Sequence, residues 1–275
     1  MSSKPPSSLH SLSELARIEI LKMTNRAGAS HVGSALSVVD ILAVLYGNVA
    51  NTSPSRISDP DRDIVILSKG HAATALYSIL AIQGFFPLSW LNDYCSDGAQ
   101  LGGHVTSKGV PGVELSTGSL GHGFPYGLGI ALSQKRSKKL SKVFVVMSDG
   151  ECDEGTTWES AMIASHLELG NLVVIVDRNY IQSLGSTEET LTLEPFADKW
   201  RAFGWNVHEV EGHDFEQLES ALQQTSTKIP TCVIANTTKG KGVSFMENSV
   251  AWHYKSPNQT ELQHALSEIS SGQNA

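Results

Sequence analysis

The sequence predicts an α/β fold: a mostly parallel sheet with helices on both faces. Three observations predict it. Short apolar runs at 64–67, 143–147 and 172–176 have the length and β-branched content of buried parallel strands. Stretches with helical periodicity lie between them, in the alternation that builds parallel sheets through crossovers. At 275 residues the chain is long enough for one α/β layer sandwich with a substantial core. No composition shift divides it, so residues 11–275 read as one domain behind a Ser/Pro-rich, mobile tail at residues 1–10.

The elements follow in order. Leu12, Ala16, Ile18, Ile20 and Leu21 mark an amphipathic helix, and Ser37 is placed to cap a second one carrying Val38, Val39, Ile41, Leu42 and Leu45. A polar loop at 51–63 leads into the strand at 64–67. Gly70 and His71 open a helix reaching Leu80. The segment 102–118 contains five glycines and is too long to be only a connection, which marks it as functional. A helix at 121–133 precedes the strand at 143–147, helical character spans 155–169, and the strand at 172–176 follows. Further strands are expected at 205–210 and 231–235.

Composition narrows the function. The net charge of −8, with Lys and Arg scattered, offers no basic face to nucleic acid. There is no apolar signal segment and no run of eighteen apolar residues for a membrane. Cys95, Cys152 and Cys232 are odd in number and lack CxxC spacing, which points to a reducing cytoplasm.

The most informative motif is Ser148-Asp149-Gly150, followed by Asn179 and Ile181. A strand–helix–strand unit of this length brings Asp149 and Asn179 to the same carboxyl-end edge of the sheet. Mg²⁺ is held by hard oxygens together with phosphates and water, so one Asp, one Asn amide oxygen and one backbone carbonyl suffice. Gly150 lets the backbone approach a phosphate. An isolated Asp-Gly is more often a turn; the partner Asn179 separates the two readings. The glycines at 118, 121 and 123 follow a loop rather than a strand, so they do not form a dinucleotide fingerprint.

These residues resemble the thiamine diphosphate motif, with Ser148 in place of its first Gly. The segments Ser148-Asp-Gly-Glu-Cys-Asp-Glu-Gly155, Asp177-Arg-Asn-Tyr-Ile-Gln182 and Thr238-Lys-Gly-Lys-Gly-Val243 narrow the resemblance to transketolase. More narrowly, the chain resembles the amino-terminal half of the split, two-gene form, over about residues 11–260. The resemblance implies the thiamine-diphosphate-binding fold. It also implies a divalent ion, Mg²⁺ or alternatively Mn²⁺ or Ca²⁺, on Asp149, Asn179 and the Ile181 carbonyl. Gly118, Ser119, Leu120, Gly150, Glu151 and His71 are implied as cofactor neighbours, and His122 as a possible one. His31, His71, His104 and His253 are the implied catalytic set around the thiazolium and donor sugar, a task suited to imidazoles near neutral pH. A zinc site is the rival for these histidines, and their spacing disfavours it.

Glu154 and Glu159 read either as favourable charges on a first helical turn or, by resemblance, as interface carboxylates linking two active sites. The resemblance implies transfer of a two-carbon ketol unit from a phosphorylated or otherwise anionic ketose to an aldose. The Glu that activates the cofactor lies in the following domain of transketolases, beyond this chain. A carboxy-terminal partner subunit is therefore expected to supply it, in a heterotetramer with two copies of each chain. The chain departs from the family pattern at Val32 and Ser119, where Pro is usual, and at Tyr254, often Gly in split forms. Two alternatives stay open: another thiamine enzyme, of the 1-deoxyxylulose-5-phosphate synthase or 2-oxo acid dehydrogenase type, and a non-catalytic phosphate-binding module.

Overall fold

The computed structural model describes residues 6 and 8–272. Strands β1 (Ile64–Leu67), β2 (Val143–Ser148), β3 (Leu172–Arg178), β4 (Asn206–Glu211) and β5 (Thr231–Asn236) form one sheet. All pairs are parallel, in the order β1-β2-β3-β5-β4. The helices are α1 (Leu9–Ala27), α2 (Val32–Val44), α3 (Ala73–Ile82), α4 (Gly123–Arg136), α5 (Gly155–His166), α6 (Thr187–Thr190), α7 (Phe196–Ala202), α8 (Phe215–Gln223) and α9 (Gln259–Ser271).

Strand residues alternate between two core layers, as the period of two requires. Val65, Leu67, Phe144, Val146, Val173 and Ile175 join the layer built with α1, α2, α3, α8 and α9. Ile66, Val143, Val145, Met147, Val174 and Val176 join the layer built with α4, α5 and α7, where Trp200 packs 5.1 Å from Trp205. Each Val, Ile or Phe so buried contributes about 1.5–3 kcal/mol. The connection from β4 to β5 runs back along the sheet, so a right-handed crossover puts α8 on the face opposite α5 and α7.

Several expectations need correction. Ser37 does not cap a helix: α2 already starts at Val32, and the Ser37 hydroxyl donates to the Ser34 carbonyl (3.0 Å) and to Asp177 Oδ2 (2.6 Å) from within the helix. The expected tail at 1–10 falls mainly outside the described residues, but Leu9 and His10 belong to α1, which Ser8 caps. Gly70–Ala72 is a 3-10 turn ahead of α3. Val32–Val49, which includes a π-helical turn at Leu45–Val49, is long and apolar enough to cross a membrane by length and composition. Its apolarity is that of a core element: 83% of it is buried, against α1, α3, α8 and β3.

Candidate active site

The carboxyl ends of four strands converge. β1 runs into Ser68 and Lys69, β2 into Asp149, β3 into Asn179, and β5 into Thr237, Thr238 and Lys239. A cleft of about 210 Å³ opens there. It is lined by His31, His71, His104, His253, Gly118, Leu120, Asp149, Gly150, Asn179 and Ile181, together with Ser34, Gln182 and Lys239. A larger cleft of about 690 Å³ shares no residue with it. The smaller one is the candidate site, because the strand ends, the acidic motif and the four histidines meet there.

The four histidines cluster around His31. His31 lies 5.2, 5.7 and 5.1 Å, centroid to centroid, from His71, His104 and His253. His31 is in the left-handed region (φ 73°) at the start of α2, and its amide donates to the His253 carbonyl (2.8 Å). A non-glycine residue there is held by its surroundings at some cost, as at many ligand sites. Burial, followed by His104 and the ammoniums of Lys239 and Lys69, pushes His31 down to about 4. Burial and then Lys239 bring His253 to about 3, and burial and Lys69 hold His71 well below its usual value. These three imidazoles are neutral at pH 7, able to donate from one nitrogen and accept at the other.

The acidic motif lies on the other wall. Asp149 Oδ1 accepts from the Gly150 amide (2.8 Å) and Oδ2 from the Tyr180 amide (2.7 Å). Burial first, then the Asp177 carboxylate, raises Asp149 to about 6, against the opposing pull of Arg178. Asn179 Oδ1 accepts from the Ile181 amide (3.2 Å). The Lys239 ammonium, lowered to about 8 chiefly by burial, donates to the Ile181 carbonyl and pairs with His253 Nδ1, both at 2.9 Å. Behind this wall Lys69 and Asp177 form a fully buried ion pair, further tied by the Ser37 and Thr237 hydroxyls. Burial works against the ionised Asp177, but Lys69 together with the Ser37 and Thr237 hydroxyls holds its carboxyl low.

The remaining expected residues lie around this centre. Ser119 is exposed and does not line the cleft, and His122 is exposed with Nδ1 2.9 Å from the Leu120 carbonyl. Glu151 is buried behind the cleft, where Oε1 accepts from the Ser68 hydroxyl and the Gly121 amide, the latter at 2.9 Å. Glu154 is the exposed residue preceding α5 and makes no side-chain cap, and Glu159 is exposed on that helix. Sequence reasoning misses Ser34, Lys69 and Lys239. Lys69 and Lys239 are visible in the sequence only as lysines inside glycine-containing segments, and it is their near-complete burial that reveals them.

The residues fit a diphosphate-bound metal. Asp149, Asn179 and the Ile181 carbonyl bring three hard oxygens to one cleft, each with a lone pair left after the bonds above. A buried carboxylate pushed up by desolvation is stabilised in its ionised form by a cation. Gly118 lies so close to His104 that a Cβ would sit 3.2 Å from Cδ2, which leaves the backbone bare toward the cleft. Among the described residues, no group of three or more His, Cys, Asp or Glu side chains is placed to hold a metal ion.

A family model described as transketolase, thiamine diphosphate binding domain, matches residues 10–269. The chain belongs to this transketolase family. It is 43% identical to one subunit of an apulose-4-phosphate transketolase from Actinobacillus succinogenes over 255 residues, 92% of each chain. It is 37% identical to a 6-deoxy-6-sulfo-D-fructose transketolase subunit from a Clostridium species, covering 90% of this chain and 91% of that one. Among solved structures, the transketolase from Campylobacter jejuni superposes with a TM-score of 0.87 at 28% identity. That from Leishmania mexicana superposes with a TM-score of 0.90 at 26% identity. This chain covers 95% and 96% of itself in those superpositions but spans only 42% and 41% of the two transketolases.

Proposed function

We propose that this chain is the cofactor-binding half of a two-chain transketolase that transfers a two-carbon ketol unit from an anionic ketose to an aldose. The observation that carries the reading is the convergence of Asp149, Asn179 and Ile181 with four histidines in one cleft of a transketolase-family domain. Relatives of matching length, named as transketolase subunits rather than whole enzymes, support the need for a second polypeptide. Their substrates, a sugar phosphate and a sulfosugar by name, support an anionic donor.

Thiamine diphosphate, when bound, supplies a carbon nucleophile that can cleave and re-form the bond beside a ketose carbonyl. Asp149, Asn179 and the Ile181 carbonyl hold Mg²⁺, while Lys239 and the Gly150 backbone face the diphosphate. The neutral imidazoles of His31, His71 and His253 orient sugar hydroxyls and move protons between them, joined by His104 beside His31. Two copies of each chain are the proposed assembly, with Glu154 and Glu159 at the interface between copies of this chain. Exposed Tyr126, Met162 and Ile163, on the packed pair α4 and α5, support that face as the contact.

Calorimetric titration of thiamine diphosphate into the chain with its partner tests the metal site. Binding should be saturable with Mg²⁺ and lost in chelator, and Asp149→Ala should weaken it at least about tenfold. Equal affinity with and without Mg²⁺ sinks the assignment of these ligands.

A further inference from the structure

The loop that brings Lys239 into the cleft is held from behind by a histidine outside the cleft. Asp40 of α2 is 3% exposed, and its carboxylate takes the Arg17 guanidinium on both oxygens, Nη1 to Oδ1 at 2.8 Å and Nη2 to Oδ2 at 2.6 Å. The Ser13 hydroxyl donates to the same carboxylate. Burial works against the charge on Asp40, yet Arg17 keeps it ionised. His213 Nδ1 lies 2.7 Å from Asp40 Oδ2, and His213 Nε2 lies 2.8 Å from the Thr238 amide nitrogen.

These contacts fix the tautomer. A backbone N–H can only donate, so Nε2 must present its lone pair and the ring proton must sit on Nδ1, facing an acceptor-only carboxylate. The imidazole is thereby set in one orientation with both nitrogens satisfied.

The neighbouring residues are tethered by other groups. The Thr237 amide donates to the Arg178 carbonyl at 3.0 Å and its hydroxyl to Asp177, and the Gly240 amide donates to the Gly33 carbonyl at 3.0 Å. Among the described residues, the Thr238 amide is held by His213 alone. The Thr237–Thr238 peptide plane, one residue ahead of Lys239, thus takes its direction from His213. From there the Lys239 side chain reaches the Ile181 carbonyl and His253.

We propose that His213 is a positioning residue that, anchored by Asp40 and Arg17, aims the Thr237–Thr238 peptide, and through it the backbone at Lys239, so that Lys239 meets the diphosphate end of the cofactor site. Among the described residues, His213 hydrogen-bonds Asp40 and Thr238, neither of which lines the cleft, so it acts through the loop. The effect on the cofactor rests on the function proposed above, whereas the effect on the loop does not.

The test pairs two measurements on the two-chain complex with His213→Ala, His213→Phe and His213→Gln. Amide hydrogen exchange at Thr238 is followed without cofactor, and thiamine diphosphate affinity is measured with Mg²⁺. Loss of the acceptor in the Ala and Phe variants should speed Thr238 exchange and weaken cofactor binding, each by about tenfold, the scale of one buried donor left unpaired. Gln, whose amide offers one acceptor and one donor, should restore both toward the native values. Phe keeps the ring volume, so the Phe–Gln comparison decides the matter if Ala does not fold. Unchanged Thr238 exchange in a folded Phe variant overturns the proposal, as does changed exchange with unaltered cofactor affinity. Absence of cofactor binding in the unsubstituted complex would instead count against the function, and the exchange comparison would still decide the role of His213 in holding the loop.

Discussion

Three imidazoles in the cleft are held neutral by burial and by the ammoniums of Lys239 and Lys69, and this has consequences that pH can expose. His31 is lowered to about 4 and His253 to about 3, so a nitrogen-15 NMR titration should show neither ring gaining a proton between pH 8 and about pH 5. Titration of either near its ordinary value of about 6.5 would contradict the buried-ring reading. The stability sign follows from linkage. The unfolded chain takes up these protons below about pH 6.5 while the folded chain does not, so stability falls as pH drops from about 7 toward 4. At this scale the sequence makes some residues legible and not others. Asp149 and Asn179 can be read because a strand–helix–strand interval fixes where both must end up. Lys239 and His213 cannot, because their roles arise only when loops from β5 and β4 fold back on α2, Ile181 and His253.

Among the elements, the junction of β1 and α3 shows how the fold delivers the histidine cluster. Gly70 packs against the long glycine-containing loop so tightly that a Cβ would sit 2.3 Å from the Thr117 carbonyl oxygen. The Val105 amide donates to the Gly70 carbonyl and the Thr117 amide to the Val105 carbonyl, both at 3.1 Å, while the Thr117 hydroxyl donates to Leu67 O at 2.7 Å. This lacing sets His104 and Gly118 opposite His71. Gly70→Ala should therefore destabilise the chain by about 1–3 kcal/mol in denaturant unfolding and also weaken cofactor binding. A stable variant with native affinity would show that the loop is free to adjust. Strands β1, β2, β3 and β5 are legible because they are buried on both faces and read as continuous apolar runs. Helix α8 escapes a reading by apolar runs although Asp214 caps it, with Oδ1 accepting from Glu216 N and Gln217 N. The true start of α2 is hidden because Val32, Gly33 and Ser34 resemble a loop until their burial is known.

Across the whole molecule, an α/β sandwich presents one face with exposed Tyr126, Met162 and Ile163 beside Glu154 and Glu159, and a cleft that, on the proposed reading, a partner chain completes. Glu154→Gln should leave the fold unchanged by circular dichroism while weakening assembly in sedimentation and lowering turnover. Native mass and turnover in that variant would remove the carboxylate from the interface. On the proposed reading, Asp149, Asn179 and the Ile181 carbonyl would hold the metal and diphosphate beside the four histidines, and the activating Glu would come from the partner. The measurement that bears most directly on this division of labour is ketol transfer by the purified chain, by its purified carboxy-terminal partner, and by the two mixed with thiamine diphosphate and Mg²⁺. The account predicts no turnover from either chain alone and turnover restored on mixing; full activity from this chain by itself would contradict it.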